Sequence, residues 1–456
     1  MLSYTQIEII TYILLVICGI YYQKKDSILP LILIFSFFSS GLSRFNAVAV
    51  KRSAGYVRVA GWDIFEMNDE LALICLNLFC LGTVLLIGFF MIYNNLYYKK
   101  DVPQYDTNEQ FKKFVAKNRV FIIVLSLSYF AILAGRQLLY AISFSYGFYA
   151  PFGAIGVIIC IFFMLQTFDK LGYVFVSILL VGYMLFIASL IITAFVRFSL
   201  IGWVVPIGIA VLSKIKPGLR LFFVVFGGGI VLIGFSVLGV MRNAKDATAS
   251  ELITKSVERL LVSEDSNMLD GFMMAYQVVP NLLDYQYGLN HSEILTRPIP
   301  RSVWPNKPSG GYANKVDLND MYGESFGIGI SESMYGTFYI EGGVVGIVVF
   351  CWLYGMFLAR VVNRLKRYHG MVGATLLGCV YASLIAWFRG GDFAGIFALL
   401  LLSYWPVIVF MRRYNAFLKR EKMIQIYNQK QARENPESQI SNDVIVPMHP
   451  LLKSLS

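Results

Sequence analysis

The chain has 456 residues, 57% hydrophobic and only 15% charged, with 39 Lys and Arg against 28 Asp and Glu and a net charge of +11; its mean hydropathy is +0.63. No soluble domain of this length presents so few charges to water, so the composition excludes a soluble globular fold. The basic excess collects in short connectors and a C-terminal tail, the pattern of the positive-inside rule, and this argues against nucleic acid as a partner.

Apolar runs of roughly 17–25 residues recur along the chain, each long enough to cross about 30 Å of hydrocarbon as a helix. They do not alternate as the strands of a closed barrel would. The expected fold is therefore all-α: a multi-pass integral membrane protein with about eleven transmembrane helices and one long external loop. In chain order the spans fall near 4–22, 28–43, 71–96, 120–135, 152–168, 171–195, 198–213, 221–241, 336–358, 371–387 and 393–411. The first run has no basic region before it and no small-residue cleavage site after it, so it reads as a retained span. Placing Lys24-Lys25, the Lys99 to Arg119 loop, Lys214 to Arg220, Arg360 to Arg367 and the tail from Arg412 in the cytoplasm puts the N-terminus outside and the C-terminus inside. The chain then divides into an N-terminal bundle at 1–241, an external loop at 242–335, C-terminal spans at 336–411 and a cytoplasmic tail at 412–456. The tail keeps amphipathic character to about Gln431 and is expected to be disordered beyond it.

Three external features follow. Residues 44–70 carry Arg44, Lys51, Arg52 and Arg58, then Asp63, Glu66, Asp69 and Glu70. Short turns hold single arginines: Arg136, Arg197, and Arg389 close to Asp392. The loop that begins at Arg242 is expected to form an amphipathic helix on the membrane over 249–262, with Leu252, Ile253, Val257, Leu260 and Leu261 on one face. A second helix follows, capped by Ser266, with Leu269, Phe272, Met273 and Tyr276 on its apolar face and Pro280 at its end. Next comes Arg297-Pro-Ile-Pro-Arg-Ser-Val-Trp-Pro-Asn-Lys-Pro308, in which four prolines exclude a regular helix and hold two arginines, a lysine and a tryptophan on a stiff path.

Arginine is depleted from short external turns unless something retains it. A guanidinium stays charged in a desolvated cleft and recognises phosphate with a planar fork of donors. A single one snorkels to headgroups or pairs with a nearby acid, as Arg389 would with Asp392. The whole set, with Arg297, Arg301 and Lys307 in the loop, points to a lipid-linked phosphate. Glu324, Glu332 and Glu341 lie at the re-entry to the ninth span, where a partly desolvated carboxylate beside a cation can act as general base for a sugar hydroxyl. Glu332 is the leading candidate because it directly precedes the span, and Glu324 is the second. His291, the one external histidine, reads as a polar surface residue with a minor claim to base chemistry. The loop also carries Tyr285, Tyr287, Trp304, Tyr312, Tyr322 and Tyr335, rings suited to sugar faces or to the interfacial aromatic belt, with Trp304 braced by prolines. The six cysteines all lie in apolar runs and the three histidines in separate segments, so neither a disulfide nor a zinc motif is expected. The chain carries no Walker A loop, Rossmann fingerprint or acid cluster for a nucleotide sugar.

The run Ile299-Pro-Arg-Ser-Val-Trp-Pro-Asn-Lys-Pro308, followed by Glu332 and a Gly-rich start to the next span, resembles the Wzy-type oligosaccharide repeat-unit polymerases. The resemblance is specific over about ten residues and extends to the topology. It implies a metal-independent, cofactor-free, inverting glycosyltransferase of the bacterial cytoplasmic (inner) membrane, with a glycosyltransferase C-like architecture as one form it can take. Such an enzyme joins undecaprenyl-pyrophosphate-linked repeat units, donor and acceptor both, into O-antigen or capsular polysaccharide, in the company of a flippase and a chain-length regulator. Arg301, Trp304 and Lys307 stand at the family's loop positions and Glu332 where its members tend to carry an acid. With the reading of the residues themselves, the candidate catalytic set is Glu332, Glu324 and Arg301. The substrate-binding set adds Arg136, Arg197, Arg242, Arg297, Trp304, Lys307, Arg389 and His291. One departure is Tyr339-Ile-Glu-Gly-Gly343, where relatives carry an Asn-Phe-Gly run. A related O-antigen ligase would share the arginines and the long loop. A flippase is the rival of a different class, but it should carry charges deep in its spans and short external loops.

Overall fold

The computed structural model describes residues 1–51, 65–97, 107–142, 144–165, 197–216, 267–296, 331–368, 370–390 and 393–434, with 55–56, 174, 176–178, 180–185, 254, 299, 303–304 and scattered positions at 219–237. Among the described residues every regular element is a helix. In chain order these are α1 (Tyr4–Lys25), α2 (Leu29–Val50), α3 (Asp69–Tyr97), α4 (Asn108–Lys117), α5 (Arg119–Ala134), α6 (Arg136–Ile142), α7 (Phe144–Met164), α8 (Arg197–Leu212), α9 (Met268–Val278), α10 (Leu289–Thr296), α11 (Ser333–Leu365), α12 (Gly370–Arg389) and α13 (Phe393–Glu434).

Five of them, α1, α2, α3, α11 and α12, are long and apolar enough to cross a membrane, and the α4–α5 pair, bent by 60°, makes a sixth if it counts as one broken span. The side chains of α1 show which solvent they need: Ile13, Val16 and Ile20 are 54%, 62% and 48% exposed, untenable in water but favourable in lipid. The chain is thus a helical membrane protein.

Local chemistry sets the helix ends. Ser3 and Gln6 form a reciprocal capping box that starts α1, Lys24 and Lys25 occupy its last turn, and Asp26 stops it in a left-handed conformation. Thr107 and Gln110 repeat that box at α4, and Asn118 closes the helix by donating from its amide group to the Phe114 carbonyl, which is where the bend into α5 falls. Asp69 and Glu70 lie in the first turn of α3. The most extensive helix pairing is α3 against α11. It is close because Gly355 faces α3, where a Cβ would come within 2.7 Å of Phe89 Cβ and 3.0 Å of the Phe90 nitrogen. Helices α9, α2 and α12 complete this group, and α8 packs along α12.

Two corrections to the sequence reading follow. The second span does not end at 43: the helix runs on through π-helical turns at Phe38–Leu42 and Asn46–Val50, and Arg44 lies inside it instead of in an external loop. An arginine ends an apolar window when read alone, but here Asp270 neutralises it. The helix after Ser266 is not buried on one apolar face alone, and its N-cap is Asn267, not Ser266. Residues from Met268 to Ala275 are buried on all sides, between α3 and α11.

Where the elements start and stop also differs from the hydropathy reading: the helix at the expected ninth span begins at Ser333, and the helix at the expected eleventh runs on to Glu434, through the amphipathic part of the tail. The amphipathic helix expected over 249–262 lies outside the described residues apart from Thr254, and the spans expected at 171–195 and 221–241 are described only in pieces. Up to Val407 the chain forms one compact unit, and residues from Ile408 onward form a second.

Polar contacts sort to two ends of the first unit. At one end Asp26 pairs with Arg220 at 2.8 Å, the Lys366 ammonium donates to the Lys25 carbonyl at 2.6 Å, and Asn363 donates to Asn94 at 2.7 Å. These residues belong to, or adjoin, connectors the sequence assigns to a common side. At the other end lie Arg44, Tyr56, Asp69, Asp270, Ser331 and Arg389.

Candidate functional site

The break in α11 organises the second end. Gly342 (φ 179°, ψ 33°) and Gly343 (φ 63°, ψ −143°) are non-helical, and they split the element into a half-helix, 333–341, and a longer apolar helix. Position 343 needs glycine for its positive φ, and a side chain there would also meet the Tyr285 hydroxyl at 3.0 Å. Every residue from Ser333 to Glu341 is buried. A discontinuous helix in a membrane protein frees backbone groups that protein must satisfy. The Ile340 carbonyl accepts from the Gln286 N–H at 3.0 Å and the Glu341 carbonyl from the Tyr287 N–H at 2.9 Å.

Two carboxylates mark the ends of the half-helix, separated along its axis by roughly 13 Å at 1.5 Å per residue. Glu332 stands at its N-terminus, 1% exposed, and accepts a hydrogen bond from the Thr337 hydroxyl at 3.0 Å. Its backbone is wedged in place: a Cβ on Gly271 of α9 would fall 2.4 Å from the Ser331 oxygen, and one on Gly390 would fall 2.3 Å from the Ser333 oxygen. Arg389, the last residue of α12, donates from Nε to the Ser331 hydroxyl at 3.0 Å. A buried carboxylate and a half-buried guanidinium are thereby held on adjoining residues of one end of the bundle. Arg44 and Asp270 tie α2 to α9 there. Their fork-to-fork pair has Nε–Oδ1 at 3.0 Å and Nη2–Oδ2 at 2.6 Å, and Nη2 also donates to the Gly55 carbonyl at 3.1 Å. Near this pair, burial and the adjacent Asp69 carboxylate push the Tyr56 phenol well above its ordinary range.

Glu341, at the other end of the half-helix, is fully buried and binds the Gly288 N–H and, at 2.6 Å, His291 Nδ1. The imidazole stacks on Phe350, with centroids 4.3 Å apart and an 11° tilt, and adjoins Phe338 and Tyr354. His291 is thus packed against α11 and is no surface residue, contrary to its reading from sequence: the partner that draws it inward lies fifty positions on.

Of the candidates read from sequence, Glu341 and His291 meet, and Arg389 reaches Ser331, the neighbour of Glu332. Arg136 opens α6, half-buried, on an element that packs against α5 and α7. Arg197 is the first residue of α8, and its side chain lies outside the described set. Trp304 is 38% exposed. Arg242, Arg297, Arg301, Lys307 and Glu324 lie outside the described residues. Sequence reasoning missed the Arg44–Asp270 pair and the joining of Glu341 to His291. An acid in an otherwise apolar helix and a Gly-Gly pair inside an apolar run were the available signals. The six cysteines are free and buried, and no group of three metal-binding side chains occurs among the described residues.

No protein-family model, curated protein or solved structure matches the chain.

Proposed function

We propose that the chain is a membrane glycosyltransferase that polymerises undecaprenyl-pyrophosphate-linked oligosaccharide repeat units into O-antigen or capsular polysaccharide. In this reading it has about eleven spans in the bacterial cytoplasmic membrane, its N-terminus and long loop outside and its tail in the cytoplasm. The acceptor hydroxyl oxygen attacks the anomeric carbon of the donor and passes its proton to Glu332, or to Glu324. The bond from that carbon to the pyrophosphate breaks, and the lipid pyrophosphate leaves with inversion. Arg301 and Arg389, with Arg136, Arg197, Arg242, Arg297 and Lys307 as further cations, hold the negative charge that accumulates on the leaving group. Trp304 offers an apolar ring to a sugar face. Donor and acceptor are confined to one bilayer, which raises their effective concentration and orients them. A chain-length regulator and a flippase of the same pathway are the protein partners of this scheme.

The observation that carries the reading lies at residues 331 and 332, where α11 begins: the buried Glu332 carboxylate accepts from Thr337, and the hydroxyl of its neighbour Ser331 accepts from Arg389 Nε. The chain leaves α10 at Thr296 and re-enters α11 at Ser333, so Arg297 is the next residue and Arg301 and Lys307 follow within a short stretch.

Purified protein in liposomes supplied with a defined lipid-linked repeat unit tests the proposal. Lengthening of the lipid-linked glycan by wild type, lost in Glu332→Gln at unchanged protein level, supports it. Translocation without lengthening would instead identify a flippase, and transfer only to a lipid A core acceptor would identify a ligase.

A further inference from the structure

Glu341 sits where α11 breaks, and four polar contacts reach the break from residues 286–291. Its two oxygens take the Gly288 N–H and His291 Nδ1, and the Ile340 and Glu341 carbonyls take the Gln286 and Tyr287 N–H groups. A carboxylate with its side chain at 0% exposure is costly to leave unmatched, and His291 Nδ1 meets one of its oxygens at 2.6 Å. The imidazole is locked flat on Phe350. These contacts bind one end of the half-helix whose other end carries Glu332. Neither residue lies near enough in sequence to Glu332 to reach it by a local contact, and the buried half-helix is what joins them.

We propose that Glu341 and His291 are positioning residues: a clip on the break of α11 that keeps the half-helix 333–341, and with it Glu332, in place. The catalytic part of this inference rests on the function proposed above, and the structural part does not.

Two measurements on the full-length protein separate them. Hydrogen exchange of the 333–341 segment reads the clip directly: His291→Ala raises the exchange rate by about tenfold or more, the consequence of losing a hydrogen bond to a charged group. His291→Asn, which keeps a donor near the place of Nδ1, returns it to within about threefold of wild type. In the liposome assay His291→Ala lowers kcat by about tenfold with KM changed less than about threefold, because a misplaced base weakens the transition state and not substrate binding. Should His291→Ala not be recovered folded, Glu341→Gln, which keeps the shape but sets a donor among donors, must give the same two changes. Unaltered exchange in these variants overturns the clip. A change in KM alone overturns its link to Glu332. Failure of wild type to lengthen the glycan overturns the proposed function, with exchange still deciding the clip.

Discussion

Replacing Asp270 by asparagine keeps the shape of the side chain and removes its charge. The Arg44 guanidinium, 1% exposed, then keeps its place with no counter-charge across two hydrogen bonds of 3.0 and 2.6 Å. Removing one partner of a buried pair costs about 3–5 kcal/mol, whereas replacing both by apolar side chains of similar volume is often neutral. At roughly 1–2 °C per kcal/mol for a chain of this size, the single variant should melt about 5 °C below wild type. The double variant Arg44→Met, Asp270→Leu should recover most of that loss. Thermal unfolding of detergent-purified protein followed by tryptophan fluorescence measures both. Salt should change neither midpoint difference, since screening does not reach a pair out of contact with solvent. A single variant melting within about 1 °C of wild type, or a double variant melting lower than either single, would refute the view that this pair fastens α2 to α9.

Burial pulls Lys366 down from 10.5 to about 8, with Lys25 adding to the effect and Asp26 opposing it. The unfolded chain binds more protons than the folded one between these values, so this group's contribution rises with pH from about 8 to 10.5 and is lost as pH falls through about 8. The melting midpoint of wild type should therefore climb across that window by an amount worth at most about 3 kcal/mol, and Lys366→Met should flatten the climb. Gly355→Val should cost about 1–3 kcal/mol by overpacking α3 against α11, read as a lower midpoint, while Gly19→Ala, where a Cβ meets nothing within 4 Å, should be neutral or slightly stabilising. Arg389→Lys keeps the charge and loses the Nε donor to Ser331, so glycan lengthening in liposomes should fall about tenfold, and an unchanged ladder would remove Arg389 from the site.

Helix existence and the membrane as solvent were legible in the chain itself, because a long apolar run has few ways to satisfy its backbone in lipid except as a helix, and that constraint is local. The ends of α1, α3 and α12 fall within a few residues of the hydropathy boundaries for the same reason. Glu332 could be singled out as the acid that directly precedes a span, and Arg389 as a lone cation in a short turn. What hydropathy could not resolve was which charges are paid for by distant partners. Arg44 reads as a loop residue until Asp270, 226 positions later, is set against it, and His291 reads as solvated until Glu341 is. The break in α11 depends on the same kind of information: Gly342 and Gly343 permit it, but the N–H groups of Gln286 and Tyr287 satisfy the carbonyls that it opens. Apolar periodicity is written residue by residue along the chain. The neutralisation of a buried charge belongs to a pair, and only the tertiary structure brings the pair together.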